Sequence, residues 1–158
     1  MPTSPIQIDF VAYGRDGGVL LLGEAKSRRG TSESWAAGLR RNMLSHGSLP
    51  ESKYFLIATP ERVYLWGQQA GNPGDPPEVT INAGTILQPY FNRLHQDPSQ
   101  IGPEAFDYVV LTWLTDVAKG GERYILAPEG MQESSTSNLL GEFLKSLREA
   151  EIEMNPRQ

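Results

Sequence analysis

Asp9, Glu24 and Lys26 are the residues of this 158-residue chain whose types and spacing suit chemistry. The runs IQIDFVAY and VLLLGEAK are suited to β-structure and are separated by Gly14, Arg15, Asp16, Gly17 and Gly18, so they predict a hairpin over 6–13 and 19–26. A two-residue turn at Asp16-Gly17 pairs Arg15 with Gly18 and, counting outward, Tyr13 with Leu20, Val11 with Leu22, Asp9 with Glu24 and Gln7 with Lys26. One face then carries Gln7, Asp9, Glu24 and Lys26 at the end remote from the turn. The other presents Ile6, Ile8, Phe10 and Ala12 against Ala25, Gly23, Leu21 and Val19, as a sheet needs toward a helix layer. Opposed carboxylates have Cβ atoms about 5 Å apart and repel unless something positive lies between them. Mg²⁺ or Mn²⁺ suits such a pair, leaving positions for water and a phosphate oxygen, while Lys26 stands on the same face to orient water or offset the charge of a phosphorane-like transition state. The chemistry would be phosphodiester hydrolysis. A turn at Gly17-Gly18 would instead set Asp9 opposite Lys26 as an ordinary ion pair with Glu24 in solvent, and a five-residue connection with a bulge is a third arrangement.

Further elements must position these groups. Ser32 is placed to cap a helix through about His46, with Trp35, Leu39 and Met43 at helical spacing and Gly47 as its stop. YFLIAT (54–59) and RVYLWG (62–67) read as strands around a Pro60-Glu61 turn, so the order is ββαββ with the helix as a crossover. Residues 68–83, rich in Gly and Pro, read as a surface loop. A short helix is expected around Ile86 to Leu94, starting as late as Pro89. A longer one runs from Pro103 to Lys119 before Gly120-Gly121, with Phe106, Val110, Trp113, Leu114 and Val117 on one face. A last helix, capped near Ser137, runs to about Glu153 with Leu139, Leu140, Phe143, Leu144 and Leu147 as its stripe.

The fold class expected is therefore α/β, a mixed central sheet flanked by helices. It forms a single domain over 1–158, with a sheet core at 6–67 and a helical half at 84–153. The absence of cysteine excludes disulfide, zinc-ribbon and thiol chemistry. No apolar run approaches the roughly 18 residues that cross a bilayer, and no export signal is visible, so a cytoplasmic protein without a membrane partner is expected. The net charge of −5 argues against a protein living on non-specific phosphate attraction. The sign changes along the chain, however: 1–62 hold 8 basic and 6 acidic residues, 63–158 hold 6 and 13. Lys26, Arg28, Arg29, Arg40, Arg41 and Lys53 concentrate the positive charge, which is either a solvated surface or a contact for an anionic ligand.

A strand carrying Asp9, a hairpin, and a second strand ending Glu24-Ala25-Lys26 before a helix resembles the PD-(D/E)XK nuclease superfamily, whose core is restriction-endonuclease-like. The resemblance covers 6 to about 59, roughly the first two fifths of the chain. GTSESWAAGLRRN and ATPERVYLWG further resemble a widespread bacterial group built on this core. The resemblance implies a metal-dependent nuclease acting on DNA, with Asp9, Glu24 and the carbonyl of Ala25 as ligands of Mg²⁺ or Mn²⁺ and Lys26 as the catalytic lysine. Arg28, Arg29, Arg40 and Arg41, in the segment after Lys26 and on the next helix, are the expected phosphate contacts. Two features depart from the family's pattern: Ile8, not proline, precedes Asp9, and the first strand begins after five residues, where members usually have a helix contributing an acidic group.

Other chemistries fit less well. His46 and His95, one near each of two helix ends, make neither a zinc pair nor a phosphodiesterase cluster, and read as dipole partners. GRDGG lacks the Gly-Lys-Ser/Thr ending of a phosphate loop, and no G-x-S-x-G elbow is present. Trp35, Trp66 and Trp113 lie on striped elements and read as core. The alternative to an enzyme is a catalytically silent α/β module, derived from a nuclease, that binds nucleic acid or protein. A third reading is an assembly subunit, and the 103–153 helices are the surface on which a homodimer would pair.

Overall fold

The structure is a computed structural model that describes residues 8–46, 49–67, 71–120 and 135–155, with the side chains of 135–138 outside it. Strands β1 (Phe10–Tyr13) and β2 (Val19–Ala25) form the hairpin, and α1 (Glu33–His46) carries the chain to β3 (Tyr54–Ala58), parallel to β2. β4 (Arg62–Trp66) and β5 (Val79–Asn82) continue the sheet antiparallel. Helices α2 (Ala83–Arg93), α3 (Pro103–Ala118) and α4 (Ser135–Ser146) follow, and β6 (Glu151–Met154) returns to the open side of β1. The six-stranded mixed sheet has the order β5-β4-β3-β2-β1-β6.

Alternation along the strands builds two cores. Phe10, Ala12, Leu21, Ala25, Leu56, Val63, Leu65 and Ile81 face α2, α3 and α4, where Phe91, Phe106, Trp113 and Phe143 fill the layer. Val11, Leu22, Phe55, Ile57, Tyr64 and Trp66 face α1. At roughly 25 cal/mol per Å² of apolar surface buried, the larger cluster is what holds three helices to the sheet. No described helix is long and apolar enough to cross a membrane.

The hairpin reaches the expected register by an unexpected route. Phe10, Val11 and Ala12 oppose Gly23, Leu22 and Leu21, as anticipated, but Tyr13 opposes Val19 rather than Leu20. The Gly17 amide donates to the Gly14 carbonyl and the Gly14 amide to that of Gly18, so the loop has three residues, Arg15 to Gly17, not two. Gly17 takes the left-handed conformation (φ 81) that such a loop needs, and the Asp16 carboxylate accepts the Gly18 amide at 2.9 Å. That loop shifts the pairing by one residue, and a bulge at Leu20 shifts it back. The bulge also turns Leu20 toward the three-helix side, while Val19 packs on the α1 side with Tyr13. Ile8, expected on the same face as Phe10, packs on the α1 side because the regular pleat begins only at Phe10.

Elsewhere the elements differ from expectation at four places. Part of the anticipated 68–83 loop is β5, whose Val79 and Ile81 alternate into the core. Helix α2 starts at Ala83, because the Asn82 side chain accepts the Gly84 amide at 2.9 Å. Pro89 lies inside α2, with both Pro89 and Thr85, the residue four before it, exposed, so the missing hydrogen bond faces solvent. Ser137 lies within α4, which ends at Ser146 rather than Glu153. Glu149 (φ 65) reverses the chain and Ile152 and Met154 then alternate against the core as an edge strand, so 84–153 is not wholly helical. The α1 boundary agrees with expectation: the Ser32 hydroxyl accepts the Trp35 amide at 3.1 Å. Ile6, Gln7, the Gly47 stop and Gly121 lie outside the described residues.

Candidate active site

Beyond Phe10 and Gly23 the hairpin strands are joined by side chains. The Ala25 amide donates to Asp9 Oδ2 at 2.9 Å, and the Asp9 amide donates to Glu24 Oε1 at 3.1 Å. Each carboxylate thus takes an amide that a continued ladder would have given to a carbonyl. The two acids stand side by side because register places them there, and both are buried, at 8% and 7% exposure. Lys26 Nζ lies 3.1 Å from Glu24 Oε2, with its side chain 36% exposed. Its backbone amide extends the parallel pairing to the Ala58 carbonyl at 2.9 Å. The arrangement with Asp9 facing Lys26 and Glu24 in solvent does not occur.

Burial raises the Glu24 pKa to about 7, and the neighbouring charge of Asp9 adds to the rise. Lys26, by charge and hydrogen bond, and the Asp9 amide pull it down without cancelling the rise. A carboxylate pair in this state is short of positive charge, and its hard oxygen donors suit a divalent cation such as Mg²⁺. The residues present therefore fit such an ion. The Ala25 carbonyl belongs to the same strand end, which is also the carboxyl end of the parallel β2–β3 pair, the usual place for a site in an open α/β sheet.

The expected phosphate contacts fall into two groups. Arg28 is exposed and lies over the Trp35 ring, 5.8 Å from its centroid. Arg29, also exposed, donates to the Pro98 carbonyl at 2.5 Å. Both follow Lys26 directly in the β2–α1 connection, which is pinned by the Gly30 amide on Glu61 Oε1 (2.7 Å) and by Thr31 Oγ1 on the Tyr64 hydroxyl (2.7 Å). Arg40 and Arg41 sit further along α1. Arg41 is exposed, but Arg40 is buried: its guanidinium lies over Phe55 and Trp66 and donates to the carbonyls of Asn72 and Pro73. It does not stand where a nucleic-acid strand would reach it. Burial depresses its pKa, and Asp75 and Glu78 oppose that.

Sequence reasoning missed the row that continues the site across the sheet. Glu24 neighbours Ile57, Ile57 neighbours Tyr64 and Tyr64 neighbours Thr80. Over this row Trp35 packs on Tyr64, with ring centroids 6.3 Å apart, and the Thr80 hydroxyl bonds the Glu33 carboxylate. Only the parallel β2–β3 register sets Tyr64 level with Glu24. Asn155 was also missed. Its amide donates to the Asp9 carbonyl at 2.8 Å and its side chain to the Ile8 carbonyl at 2.7 Å, a partnership across 147 positions that has no local signal. His46 Nδ1 bonds the Asn42 carbonyl at its own helix end, and His95 (φ 54) follows α2, each away from the acids along the chain.

Comparison with protein-family models, with curated proteins and with solved structures gave no match to this chain. The site's chemistry is therefore argued from its geometry.

Proposed function

We propose that this chain is a metal-dependent phosphodiesterase acting on DNA, a nuclease of the PD-(D/E)XK kind that its sequence resembles. The observation that carries the reading is the convergence of Asp9, Glu24 and Lys26 on one strand end, with both acids buried and the lysine reaching solvent. Asp9 and Glu24 would hold Mg²⁺ or Mn²⁺, with the Ala25 carbonyl as a further donor. The bound ion would supply Lewis-acid polarisation of a phosphoryl oxygen and a more acidic water. The chain's own residues do the rest. Glu24 orients the Lys26 ammonium through its second oxygen. Lys26 keeps a positive charge beside the place where negative charge grows on the phosphorus oxygens, in surroundings drier than bulk water. The amides of Asp9 and Ala25 hold the two carboxylates in their rotamers, so little reorganisation is needed. Arg28 and Arg29 are the nearest exposed cations along the chain for backbone phosphates.

The test uses oligonucleotide cleavage together with thermal unfolding. Mg²⁺ or Mn²⁺ is expected to raise the Tm of the native chain but not of Asp9→Asn, and cleavage is expected to fall at least a hundredfold in Lys26→Ala. Failure of the ion to shift the Tm at any pH above 7 would remove the reading. One observation favours a second reading, a silent DNA-binding module: the reciprocal carboxylate–amide bonds also serve as staples where the strands part. Retained DNA binding with neither ion-dependent stabilisation nor cleavage would select it.

A further inference from the structure

Of the three tryptophans in the chain, Trp66 and Trp113 are buried in the two cores, whereas Trp35 is half-buried. It stands in the first turn of α1, where the Ser32 hydroxyl accepts its amide. Tyr64, buried in β4 and bonded through its hydroxyl to Thr31, packs against the indole with ring centroids 6.3 Å apart. The exposed Arg28 guanidinium lies over the same indole, 5.8 Å from its centroid.

This pair flanks the acids. Glu24 shares with Leu22 the side of β2 that faces α1, the side on which Trp35 packs. Glu24, Ile57 and Tyr64 form one row across β2, β3 and β4, so Tyr64 lies two strand spacings, roughly 10 Å, from Glu24. At a rise of about 3.4 Å per nucleotide in a stacked strand, that span is about three nucleotides. Arg28 follows Lys26 by two residues in the connection to α1.

The two arginines after Lys26 are placed differently. Arg29 is tied to the Pro98 carbonyl, whereas the Arg28 guanidinium makes no ion pair or hydrogen bond among the described residues. An exposed arginine held over an indole offers a ligand both a planar face and its N–H edges. Guanidinium planes and aromatic rings are surfaces on which nucleobases stack, and such contacts need a base that is unpaired and splayed from its neighbours. Inside a duplex both faces of each base are covered by the next base pairs. With a net charge of −5 the chain gains little from phosphate attraction alone, so contacts to bases take a larger share in holding a strand.

Resting on the proposed action on DNA, we propose that the Arg28–Trp35 pair receives an unpaired base beside the Asp9–Glu24 site, which makes single-stranded DNA the preferred substrate. Every base has a stacking face, so the pair selects for strandedness rather than for sequence. The N–H edges of Arg28 stay turned to the adjoining phosphates. Lysine replaces arginine as a charge but not as a planar surface, which separates stacking from simple attraction.

Fluorescence anisotropy of the full chain tests this with a labelled mixed-sequence single strand, its blunt duplex, and a strand of equal length built of abasic sugar-phosphate, which keeps the charge and removes the bases. Binding is measured in chelator and, with Lys26→Ala to hold back cleavage, in Mg²⁺. The single strand is expected to bind at least about fivefold tighter than either of the others. Arg28→Ala and Arg28→Lys, at an exposed position, should each lower affinity for the single strand at least about fivefold and for the abasic strand less than about twofold. Base-dependent binding of this kind without ion-dependent cleavage would support the Arg28–Trp35 site and sink the nuclease reading alone. Equal binding of the three strands, full affinity in Arg28→Lys, or no saturable binding of the single strand in either condition would overturn the proposal. Cleavage of the duplex by the native chain as fast as of the single strand would overturn it too, with the nuclease reading intact.

Discussion

With its carboxyl held near pH 7 by burial and by Asp9, Glu24 binds a proton more readily in the folded chain than in the unfolded one, where its value is 4.5. The protonated form favours folding, so this contribution is fully present below pH 4.5, declines as pH rises, and is lost above about 7. A rise of this size corresponds to about 3 kcal/mol. In chelator, unfolding free energy measured from pH 4.5 to 8 should therefore fall with a Glu24-dependent slope that disappears in Glu24→Gln. Carboxyl NMR should show the Glu24 midpoint moving down in Asp9→Asn, which removes one cause of the rise, and up in Lys26→Met, which removes the opposing charge. The direct opposition of Asp9 and Glu24 was one of three registers that the sequence left open, but their sharing a face was legible, because strand parity is a local property. The fate of Arg40 was not. Its neighbour Arg41 has the same type and helix, and only the tertiary placement of Phe55, Trp66 and the 72–73 carbonyls separates a buried guanidinium from an exposed one.

Helix α1 connects that residue-level contrast to the sheet. Arg40→Met leaves two carbonyls without their charged donor and Asp75 and Glu78 without their cation, a cost of about 2–3 kcal/mol in denaturant unfolding. Arg41→Ala, at an exposed position, should stay within about 0.5 kcal/mol. Ser32→Ala removes the hydroxyl that accepts the Trp35 amide and should cost about 1 kcal/mol. It also loosens the connection carrying Lys26 through Arg29, which amide exchange at 27–32 would report. The starts of α1 and α3 and the apolar stripes were readable because caps and periodicity are short-range signals, whereas α2 and α4 begin earlier than expected. The exceptions at β5 and β6 are four-residue strands, VTIN and EIEM, too brief for alternation to outweigh a Pro/Gly-rich neighbour or a continuing helical stripe. In the hairpin, two misread details, loop length and the Leu20 bulge, offset one another, and the register survived both.

At the scale of the molecule, β6 converts the outer side of β1 from an edge into an interior position, and Asn155 ties the backbone at Ile8 and Asp9. Asn155→Ala should cost about 1 kcal/mol and raise amide exchange around Phe10 while leaving the helices protected. Removing 151–158 should expose β1 as a bare edge, lower the Tm and promote self-association visible by light scattering. No reading of the chain in segments could anticipate this, because the partners lie 147 positions apart. The same distance has a temporal side. On the ribosome, the hairpin that brings Asp9 to Glu24 emerges well before the strand that braces Asp9, with three strands and four helices translated between them. A nascent chain therefore carries these acids for that interval without their final support.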